Sequence, residues 1–543
     1  MSFQQRIIVA VGLCALIFVI FDFLTPKPPP VEQTEPAPVA DRADVPEAPA
    51  PEPRDPAVTP PGMPEVEVVR HTIRNDLLSL EMTNQAPARG GIISGIELLD
   101  QQFQGHATAV DALGLAGART LEIGFHDEAS DIRIPRAAAY EVVETGADYI
   151  TLRYADDSVE VQHRFELLDG YEARLRVRVT NRSAHEQAHR VDIGTRIGLG
   201  ESRYDVHRGL CRLPDDFEDE DQGDVEKGPI SYGPGVRWGG VDGKYFATLV
   251  VPTQPADRCV IARSDDGPEA LVNRLVSPQV RLGPGESREH VYGIFLGVKE
   301  LDRLGAFSAV ELPEGDLQRA IDWGFFGRLS ESVGRLLLGM MRWFFSLTGS
   351  WGVAIVLLTV VVKAVTLPLT LKQMRSMKRM KEIQPELDKI KKKYGDDRVK
   401  QGQEMQALFS RSGVNPLAGC LPMLVQLPIW FALYSMLGTA AELVHEPFLW
   451  LPDLTQQDPY YILPLGLGAM MILQNRMMPM AGDAAQAKMM RWVMPIMFTV
   501  FMLFLPSGLG VYIFVNIVLS VIQTAIQVGT GTKAEPAASA PTK

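Results

Sequence analysis

The sequence of 543 residues predicts a multi-pass α-helical membrane protein that also carries a large antiparallel β-sandwich domain. Three observations lead to this fold class. Several apolar segments have the length of a bilayer span, and residues 65–312 alternate polar and apolar side chains as half-buried strands do. Acidic and basic residues are segregated along the chain, as expected when a membrane divides it.

The first two segments predict an anchor and a tether. Residues 1–25 hold an apolar run behind Arg6 that is longer than the apolar region of a usual cleaved signal peptide, so we interpret it as a retained transmembrane anchor. Lipidation of Cys14 is disfavoured because Leu13 is too large to precede a lipidated cysteine. Residues 26–64 are rich in Pro, Ala and Glu, a composition that buries too little apolar surface to offset its ordering entropy.

Residues 65–312 are predicted to form the β-sandwich. Ala173, Leu175, Val177 and Val179 alternate with arginines, and turn signals such as Asp169-Gly170 separate runs of this kind. The four cysteines show no metal-ligand or redox spacing. A disulfide between Cys211 and Cys259 is open to an exported domain, but the spacing does not decide it.

Two polar features of the sandwich could be sites, and we favour a structural explanation for both. The acidic run 215–221 lacks the ligand and glycine spacing of an EF-hand, so a solvated loop is expected rather than a calcium site. His163 lies at an inward strand position without a second ligand residue at metal-binding spacing, which predicts a buried core histidine. The chain therefore predicts no catalytic set, no metal site and no cofactor.

Residues 313–350 return to the helical period. Apolar residues such as Val333, Leu337 and Met341 fall on one side, while Arg335 and Arg342 lie elsewhere. This pattern predicts an amphipathic helix on the outer leaflet, and the alternative is a helix packed on the sandwich.

Five further apolar segments are predicted to cross the membrane, which makes six transmembrane helices with the first. They are residues 351–371, 417–441, 460–475, 492–505 and 509–528. The last two share one apolar run that is too long for a single crossing, and Pro506-Ser507-Gly508 supplies the break for a tight hairpin.

The loops between these spans differ in charge. Residues 442–459 contain acids but no Lys or Arg. Residues 372–416, predicted as a helical hairpin whose first helix is interrupted at Pro385, and residues 476–491 contain several basic residues. The positive-inside rule places the two basic loops in the cytoplasm together with both chain ends, including the tail 529–543. The sandwich then lies on the opposite side of the membrane from the cytoplasm.

Lys363 is the one cation inside the span 351–371. At ~1.5 Å of rise per residue it lies about 13 Å from the Lys372 end, deep enough to be costly on a lipid-facing surface. Two interpretations are open: its long side chain snorkels to the nearer headgroups, or it faces a wet cavity within a helix bundle.

Residues 415–434, NPLAGCLPMLVQLPIWFALY, closely resemble the third transmembrane segment of the YidC membrane-protein insertases. The segments 457–464, QDPYYILP, and 504–509, FLPSGL, also match that family. The resemblance implies a bacterial inner-membrane protein with a periplasmic sandwich and a five-helix insertase core. In the family this core encloses a hydrophilic groove with a cation on the second span, which is Arg in most members and Lys363 here.

The resemblance also implies partners and a substrate site. The partners are nascent membrane proteins, the Sec translocon with its accessory subunits, the ribosome and the lipid bilayer, with the protein active as a monomer. Candidate groove residues are the polar side chains of the spans, each of which could instead serve ordinary helix packing: Lys363, Thr359, Gln426, Ser435, Tyr512, Asn516, Ser520, Gln523 and Thr524.

A basic face in the cytoplasmic hairpin is the candidate contact for a ribosome or a nascent chain, although a solvated, headgroup-facing surface is the default for such a run. Its residues are Lys372, Arg375, Lys378, Arg379, Lys381, Lys391, Lys392 and Lys393. Two other classes of function make different predictions for the sequence. A transporter or channel gated by the sandwich would predict internal repeats, which the five spans lack, and a membrane-anchored carbohydrate-active enzyme would need paired carboxylates.

Overall fold

The computed structural model describes residues 68–84, 92–100, 120–125, 130–135, 138–198, 207–264, 269–323, 328–394, 397–412, 421–477 and 489–531. The chain divides into two compact units, residues 1–320 and 321–543. The predicted anchor (1–25), the predicted tether (26–64) and most of the tail (529–543) lie outside the described residues.

The described part of the first unit is built from strands and short helical turns. The strands are β1 (Arg70–Arg74), β2 (Leu78–Thr83), β3 (Ile93–Leu98), β4 (Glu122–Phe125), β5 (Glu141–Thr145), β6 (Tyr149–Ala155), β7 (Val159–Leu167), β8 (Glu172–Asn181), β9 (Gln187–His189), β10 (Val191–Gly198), β11 (Arg208–Arg212), β12 (Phe217–Asp221), β13 (Ile230–Tyr232), β14 (Trp238–Asp242), β15 (Phe246–Pro252), β16 (Arg258–Arg263), β17 (Ala270–Val276), β18 (Val280–Leu282) and β19 (Ser287–Val298). Three helical turns complete the unit: the 3-10 turns Asp224–Lys227 and Asp316–Ala320 and the short helix α1 (Leu301–Gly305).

These strands form two large antiparallel sheets and two small ones. The nine-stranded sheet has the order β12-β11-β14-β15-β19-β8-β7-β6-β5, and the five-stranded sheet the order β13-β16-β17-β10-β4. The small sheets are β1-β2-β3 and β18-β9. Alternating burial produces the two layers, because Val159, Val161, His163 and Phe165 in β7 are buried while the residues between them are partly exposed. The predicted antiparallel sandwich is confirmed.

The two large sheets pack face to face and are joined by a disulfide. Cys211 of β11 is bonded to Cys259 of β16, with a Cα–Cα distance of 6.0 Å. Beside them Asn273 Nδ2 donates to the Leu210 carbonyl at 3.0 Å. At Gly209 the sheets approach so closely that a Cβ would lie 2.4 Å from Ile261, so this position requires glycine. The sequence left the Cys211–Cys259 pairing open, and the structure forms it.

His163 is a buried core histidine, as predicted. Its ring is 1% exposed and stacks on Tyr140 with 4.9 Å between ring centroids. Burial lowers the pKa of His163 to about 3, because the imidazolium form would lose its hydration.

The acidic run 215–221 is not simply a solvated loop, so that expectation was wrong. Residues Phe217–Asp221 form β12, the edge strand of the nine-stranded sheet, paired along its length with β11. Arg208 Nη1 on β11 binds Asp219 at 3.1 Å, and the Tyr232 hydroxyl donates to Glu220. Ladder bonds and a basic neighbour hold an acidic sequence in a strand, and charge on an edge strand discourages pairing with other chains.

A buried ion pair fixes the end of the first unit. Arg212 Nε donates to Asp316 Oδ1 at 3.0 Å, and Trp238 Nε1 donates to Asp316 Oδ2 at 3.1 Å. Both charged side chains are almost fully buried. Because β11 and β14 supply these donors, the 3-10 turn Asp316–Ala320 is held against the nine-stranded sheet.

The second unit is helical in its described part. Its helices are α2 (Arg328–Thr348), α3 (Trp351–Lys393), α4 (Arg398–Ser412), α5 (Leu421–Thr439), α6 (Ile462–Met477), α7 (Met494–Met502) and α8 (Ser507–Gly531), with a 3-10 turn at Ala441–Leu443 and a π-helical turn at Met489–Val493. α2 contacts α3 and α5, and α8 contacts α3, α5 and α6.

α2 has apolar side chains on two faces. Leu337, Met341 and Phe344 are buried, while Leu336, Trp343 and Leu347 are 59–64% exposed. A second, uncovered apolar face is what a helix lying on a bilayer requires. Of the segment 313–350, Arg328–Thr348 is a helix with an uncovered apolar face. Its position on the outer leaflet stays a prediction.

α3 is longer than the sequence predicted. The predicted span 351–371 and the first helix of the cytoplasmic hairpin form one continuous helix, and Pro385, expected to interrupt it, lies inside. A proline removes one backbone hydrogen bond but does not always end a helix. Ser350 caps the start by accepting from Val353 N at 3.5 Å.

Two described helices are long and apolar enough to cross a membrane, Trp351–Leu371 and Ser507–Gln527. Ile429–Gly438 and Arg491–Met502 are shorter apolar helices. The N-terminal segment and residues 413–420, which include the start of the predicted third span 417–441, lie outside the described residues. The count of six spans stays a prediction.

The burial of His163 predicts a pH-dependent stability of the sandwich. Since the folded pKa is about 3 and that of an exposed histidine about 6.5, the unfolded chain binds more protons below about pH 6.5. The stability contributed by neutral His163 is therefore present above about pH 6.5 and is lost as the pH falls toward 3, by about 2 kcal/mol between pH 7 and pH 5. We expect His163→Phe to remove this loss, because neither ring nitrogen has a hydrogen-bond partner among the described residues.

Pulse proteolysis in urea on the detergent-solubilised full-length protein measures this difference. Exposed His185→Gln is the control and should keep the pH dependence of the wild type. His189 and His290, whose pKa values burial lowers to about 4, contribute equally to all three proteins. The same pH dependence in wild type and His163→Phe would contradict the assignment.

The disulfide should stabilise the sandwich by restricting its unfolded chain. For a sequence separation of 48 residues, loop-closure entropy predicts that Cys211→Ser with Cys259→Ser lowers the unfolding free energy by roughly 3–4 kcal/mol. The urea midpoint in pulse proteolysis reports this loss, with Cys420→Ser as the control. An unchanged midpoint, or alkylation of Cys211 and Cys259 in the native protein, would show that the bond does not form.

Candidate functional site

The candidate site lies where α3 packs against α8. Lys363 of α3 is partly buried, and its Nζ donates a hydrogen bond of 2.6 Å to Ser520 Oγ of α8. Ser520 Oγ in turn donates to the Asn516 carbonyl at 2.7 Å, one turn earlier on the same helix. Two residues that the sequence separates by 157 positions thus meet through their polar atoms.

A second polar contact joins the same two helices further along each helix. Gln523 Nε2 donates to Thr370 Oγ1 at 3.1 Å. Thr370 follows Lys363 by two helical turns and Gln523 follows Ser520 by about one, so both contacts run along one seam between parallel helices. Gln523 was a predicted groove residue, whereas Thr370 was not.

Four of the other candidate residues are buried in the described structure. Thr359, Ser435, Tyr512 and Thr524 are each at most 6% exposed. Thr359 donates to the Ile355 carbonyl at 2.7 Å and Thr524 to the Ser520 carbonyl at 2.8 Å, contacts that belong to ordinary helix packing. The side chain of Gln426 lies outside the described residues.

Lys363 has no acidic partner within ion-pair distance in the part of the chain that the structure describes. The acids of the second unit that form ion pairs, such as Glu442 and Asp397, lie outside the apolar spans. An ammonium has three N–H donors, and Ser520 accepts one of them. Two donors are left for water or for an incoming acceptor.

The sequence missed the ordered loop between α5 and α6. Its backbone binds the start of α8, since Ser507 N donates to the Gln456 carbonyl and Gly508 N to the Leu454 carbonyl, both at 2.7 Å. Asp458 accepts from Trp450 Nε1 at 3.2 Å and from Leu463 N at 2.7 Å. Clustered Asp, Pro and Trp in a short loop could have indicated this order, because Asp side chains bind nearby backbone amides.

An ion pair ties α2 to the same end of the bundle. Arg342 Nη2 lies 2.6 Å from Glu442 Oε1, and both side chains are mostly buried. Near this end Phe448 covers Gly352 of α3 so closely that a Cβ there would lie 2.1 Å from its ring. Residues of the loop between α5 and α6 therefore pack against the C-terminal part of α2 and against the starts of α3 and α8.

The basic face is described in part. Arg379, Lys392 and Lys393 are exposed, Lys391 is partly exposed, and α4 contacts α3 to form the predicted hairpin, with Leu408 buried. The remaining candidates of this face have side chains outside the described residues: Lys372, Arg375, Lys378 and Lys381. No group of three or more metal-ligating side chains occurs among the described residues.

Family models match most of the chain. Residues 70–333 match the model described as YidC periplasmic domain, and residues 343–532 match the model described as 60Kd inner membrane protein. The first match extends slightly past the boundary between the compact units at residues 320 and 321, and the second match lies wholly within the second unit.

Curated relatives carry the name membrane protein insertase YidC. The protein of Anaeromyxobacter dehalogenans (strain 2CP-C) is 43% identical over 321 residues, which cover 59% of this chain and 56% of the relative. That of Geobacter sulfurreducens is 36% identical over 361 residues, which cover 65% of each chain. The matched region thus spans less than two thirds of the length of these relatives.

Two kinds of solved structure are similar in part. The structure titled active YidC insertase with the first transmembrane domain resolved has a TM-score of 0.37 and 20% identity, covering 85% of this chain and 93% of that one. A galactose mutarotase related enzyme from Lactobacillus acidophilus has a TM-score of 0.31 and 11% identity, covering 45% and 99%. TM-scores this low establish no common overall fold.

Proposed function

Because the chain belongs to the YidC family of membrane-protein insertases, we propose that it accepts nascent membrane proteins from the cytoplasm into a hydrophilic groove and releases their helices into the bilayer. The observation that carries this proposal is the contact between Lys363 and Ser520, a hydrogen-bonded ammonium within otherwise apolar spans. The function requires no covalent chemistry.

A polar seam inside the membrane lowers the cost of moving a short hydrophilic tail across it. Backbone amides and charges lose their hydration in hydrocarbon, at several kcal/mol for each unsatisfied group. A wet recess that reaches Lys363 shortens the unsolvated path. The ammonium then attracts an acidic tail for the time that it takes to cross.

We propose that the groove opens to the cytoplasm and is closed at the opposite end. The ordered loop between α5 and α6, with the Arg342–Glu442 ion pair, supports closure at the end of the bundle where α3 and α8 begin. The partly exposed residues Asn516 and Gln523 lie further along α8, on the open side. Helices of an inserted protein leave sideways into lipid.

The proposed topology has both chain ends in the cytoplasm and the sandwich in the periplasm of the bacterial inner membrane. The disulfide Cys211–Cys259 supports an oxidising compartment for the sandwich, because such bonds are rare in the cytoplasm. The basic loops 372–416 and 476–491 support a cytoplasmic position on the other side.

We propose the ribosome and the Sec translocon with its accessory subunits as partners of a monomeric protein. The exposed basic residues Arg379, Lys392 and Lys393 support contact with ribosomal RNA or a nascent chain at the hairpin tip and stem. Anionic headgroups compete for the same charges, so such a contact weakens as salt rises.

Removal of the Lys363 charge should impair insertion of substrates with acidic translocated tails. In liposomes that contain the purified full-length protein, Lys363→Ala is expected to lower insertion of such a substrate about tenfold, the loss of roughly 1.4 kcal/mol of attraction. Lys363→Arg should keep most of the activity because it retains the charge, with any deficit due to its larger, planar head. Protease protection of the translocated tail is the measurement.

The matched control is Lys389→Ala, which removes an exposed lysine of α3 beyond the apolar span and should insert normally. Full insertion by Lys363→Ala across several acidic-tail substrates would sink the electrostatic role. A photo-cross-linker at position 363 that captured only lipid would establish snorkelling instead.

A further inference from the structure

We propose that Ser520 is a positioning residue that holds the Lys363 ammonium at the seam between α3 and α8, so that two of its N–H donors meet a single carboxylate of an incoming tail. This inference rests on the proposed insertase function and concerns the same site. It assigns Ser520 a role distinct from that of a residue that merely lines the groove.

The direction of each hydrogen bond follows from the chemistry of the two groups. An ammonium only donates, so Lys363 Nζ is the donor and Ser520 Oγ the acceptor in the 2.6 Å contact. The one proton of Ser520 Oγ goes to the Asn516 carbonyl at 2.7 Å. The hydroxyl is therefore held by its own helix with its lone pairs turned to the lysine.

Neighbouring hydroxyls are engaged elsewhere. Thr366 donates to the Val362 carbonyl at 2.9 Å, and Thr524 donates to the Ser520 carbonyl. Thr370 Oγ1 accepts from Gln523. In the described structure Ser520 is thus the one side chain with a hydrogen bond to Lys363 Nζ.

Without this acceptor the lysine has a competing position. Its side chain carries about 2 kcal/mol of rotamer entropy and can extend along α3 toward the headgroups. Leu367, four residues further along α3 on the same face, is 37% exposed, so packed side chains do not fully cover that path. A bond to Ser520 holds the charge in place before the substrate arrives, which reduces the ordering cost at binding.

The geometry also defines the substrate group. A compact ammonium with two remaining donors fits one carboxylate oxygen pair, from Asp, Glu or a chain terminus, rather than several acids at once. The effect of Ser520 should therefore depend on acidic groups in the tail and be absent for a neutral tail.

The test uses the full-length protein in liposomes and two single-span substrates that differ only by Glu or Gln in the translocated tail. Ser520→Ala is expected to lower insertion of the Glu substrate about tenfold, as for loss of a hydrogen bond to a charged group, and to leave the Gln substrate unchanged. Ser520→Thr should restore insertion, since it keeps the hydroxyl. In a Lys363→Ala background, Ser520→Ala should cause no further loss.

Thr499→Val is the matched control, because the Thr499 hydroxyl of α7 donates only to its own helix, at the Pro495 carbonyl. Equal losses for both substrates in Ser520→Ala, or no rescue by Ser520→Thr, would make the hydroxyl merely structural and overturn the inference. If Lys363→Ala lowers insertion of the Glu substrate and Ser520→Ala does not, the positioning role of Ser520 is wrong, while the proposed insertase function is unaffected. If Ser520→Ala does not fold, the near-isosteric Ser520→Cys replaces it, with the same two substrates and the same criteria.

Discussion

An ammonium within an apolar span needs hydrogen-bond acceptors in place of water, and here a hydroxyl on a neighbouring helix supplies one. Lys363 Nζ donates to Ser520 Oγ at 2.6 Å, and the described structure gives it no carboxylate. An ion pair would neutralise the ammonium charge, so that it would no longer attract an acidic group of a substrate. The neutral Ser520 hydroxyl instead holds the ammonium in position and leaves its charge unneutralised. This arrangement of Lys363 and Ser520 depends on the packing of α8 against α3.

The two units handle buried polarity in opposite ways. In the sandwich unit, buried charges have partners, since Asp316 accepts from both Arg212 and Trp238. The two large sheets are joined by the disulfide Cys211–Cys259. Such contacts favour one rigid arrangement of strands. In the helical unit the described apolar spans Trp351–Leu371 and Ser507–Gln527 contain no acid, and Lys363 keeps two N–H donors beyond its bond to Ser520.

The sequence predicted the sandwich well, because strict alternation in segments such as Val159–Leu167 specifies which side is buried. It failed at Phe217–Asp221, where an edge strand needs no apolar face and ladder bonds with β11 suffice. It also predicted Lys363 and Ser520 separately as groove candidates. It could not predict that they touch, because the register of α8 on α3 depends on packing that neither helix encodes alone. The predicted interruption at Pro385 does not occur, because the hairpin stem tolerates one missing backbone hydrogen bond.

If Lys363 faces water inside the bundle and not lipid, a cysteine thiol at that position reacts with a water-soluble reagent. Lys363→Cys and Val365→Cys are made in a protein whose Cys14 and Cys420 are replaced by serine, and inverted membrane vesicles are treated with a membrane-impermeant maleimide. Position 365, which is 72% exposed on the apolar surface of α3, serves as the lipid-facing reference. We expect fast labelling at position 363 and little at position 365, since only a hydrated thiol ionises and reacts with the maleimide. Protection of both positions would contradict it.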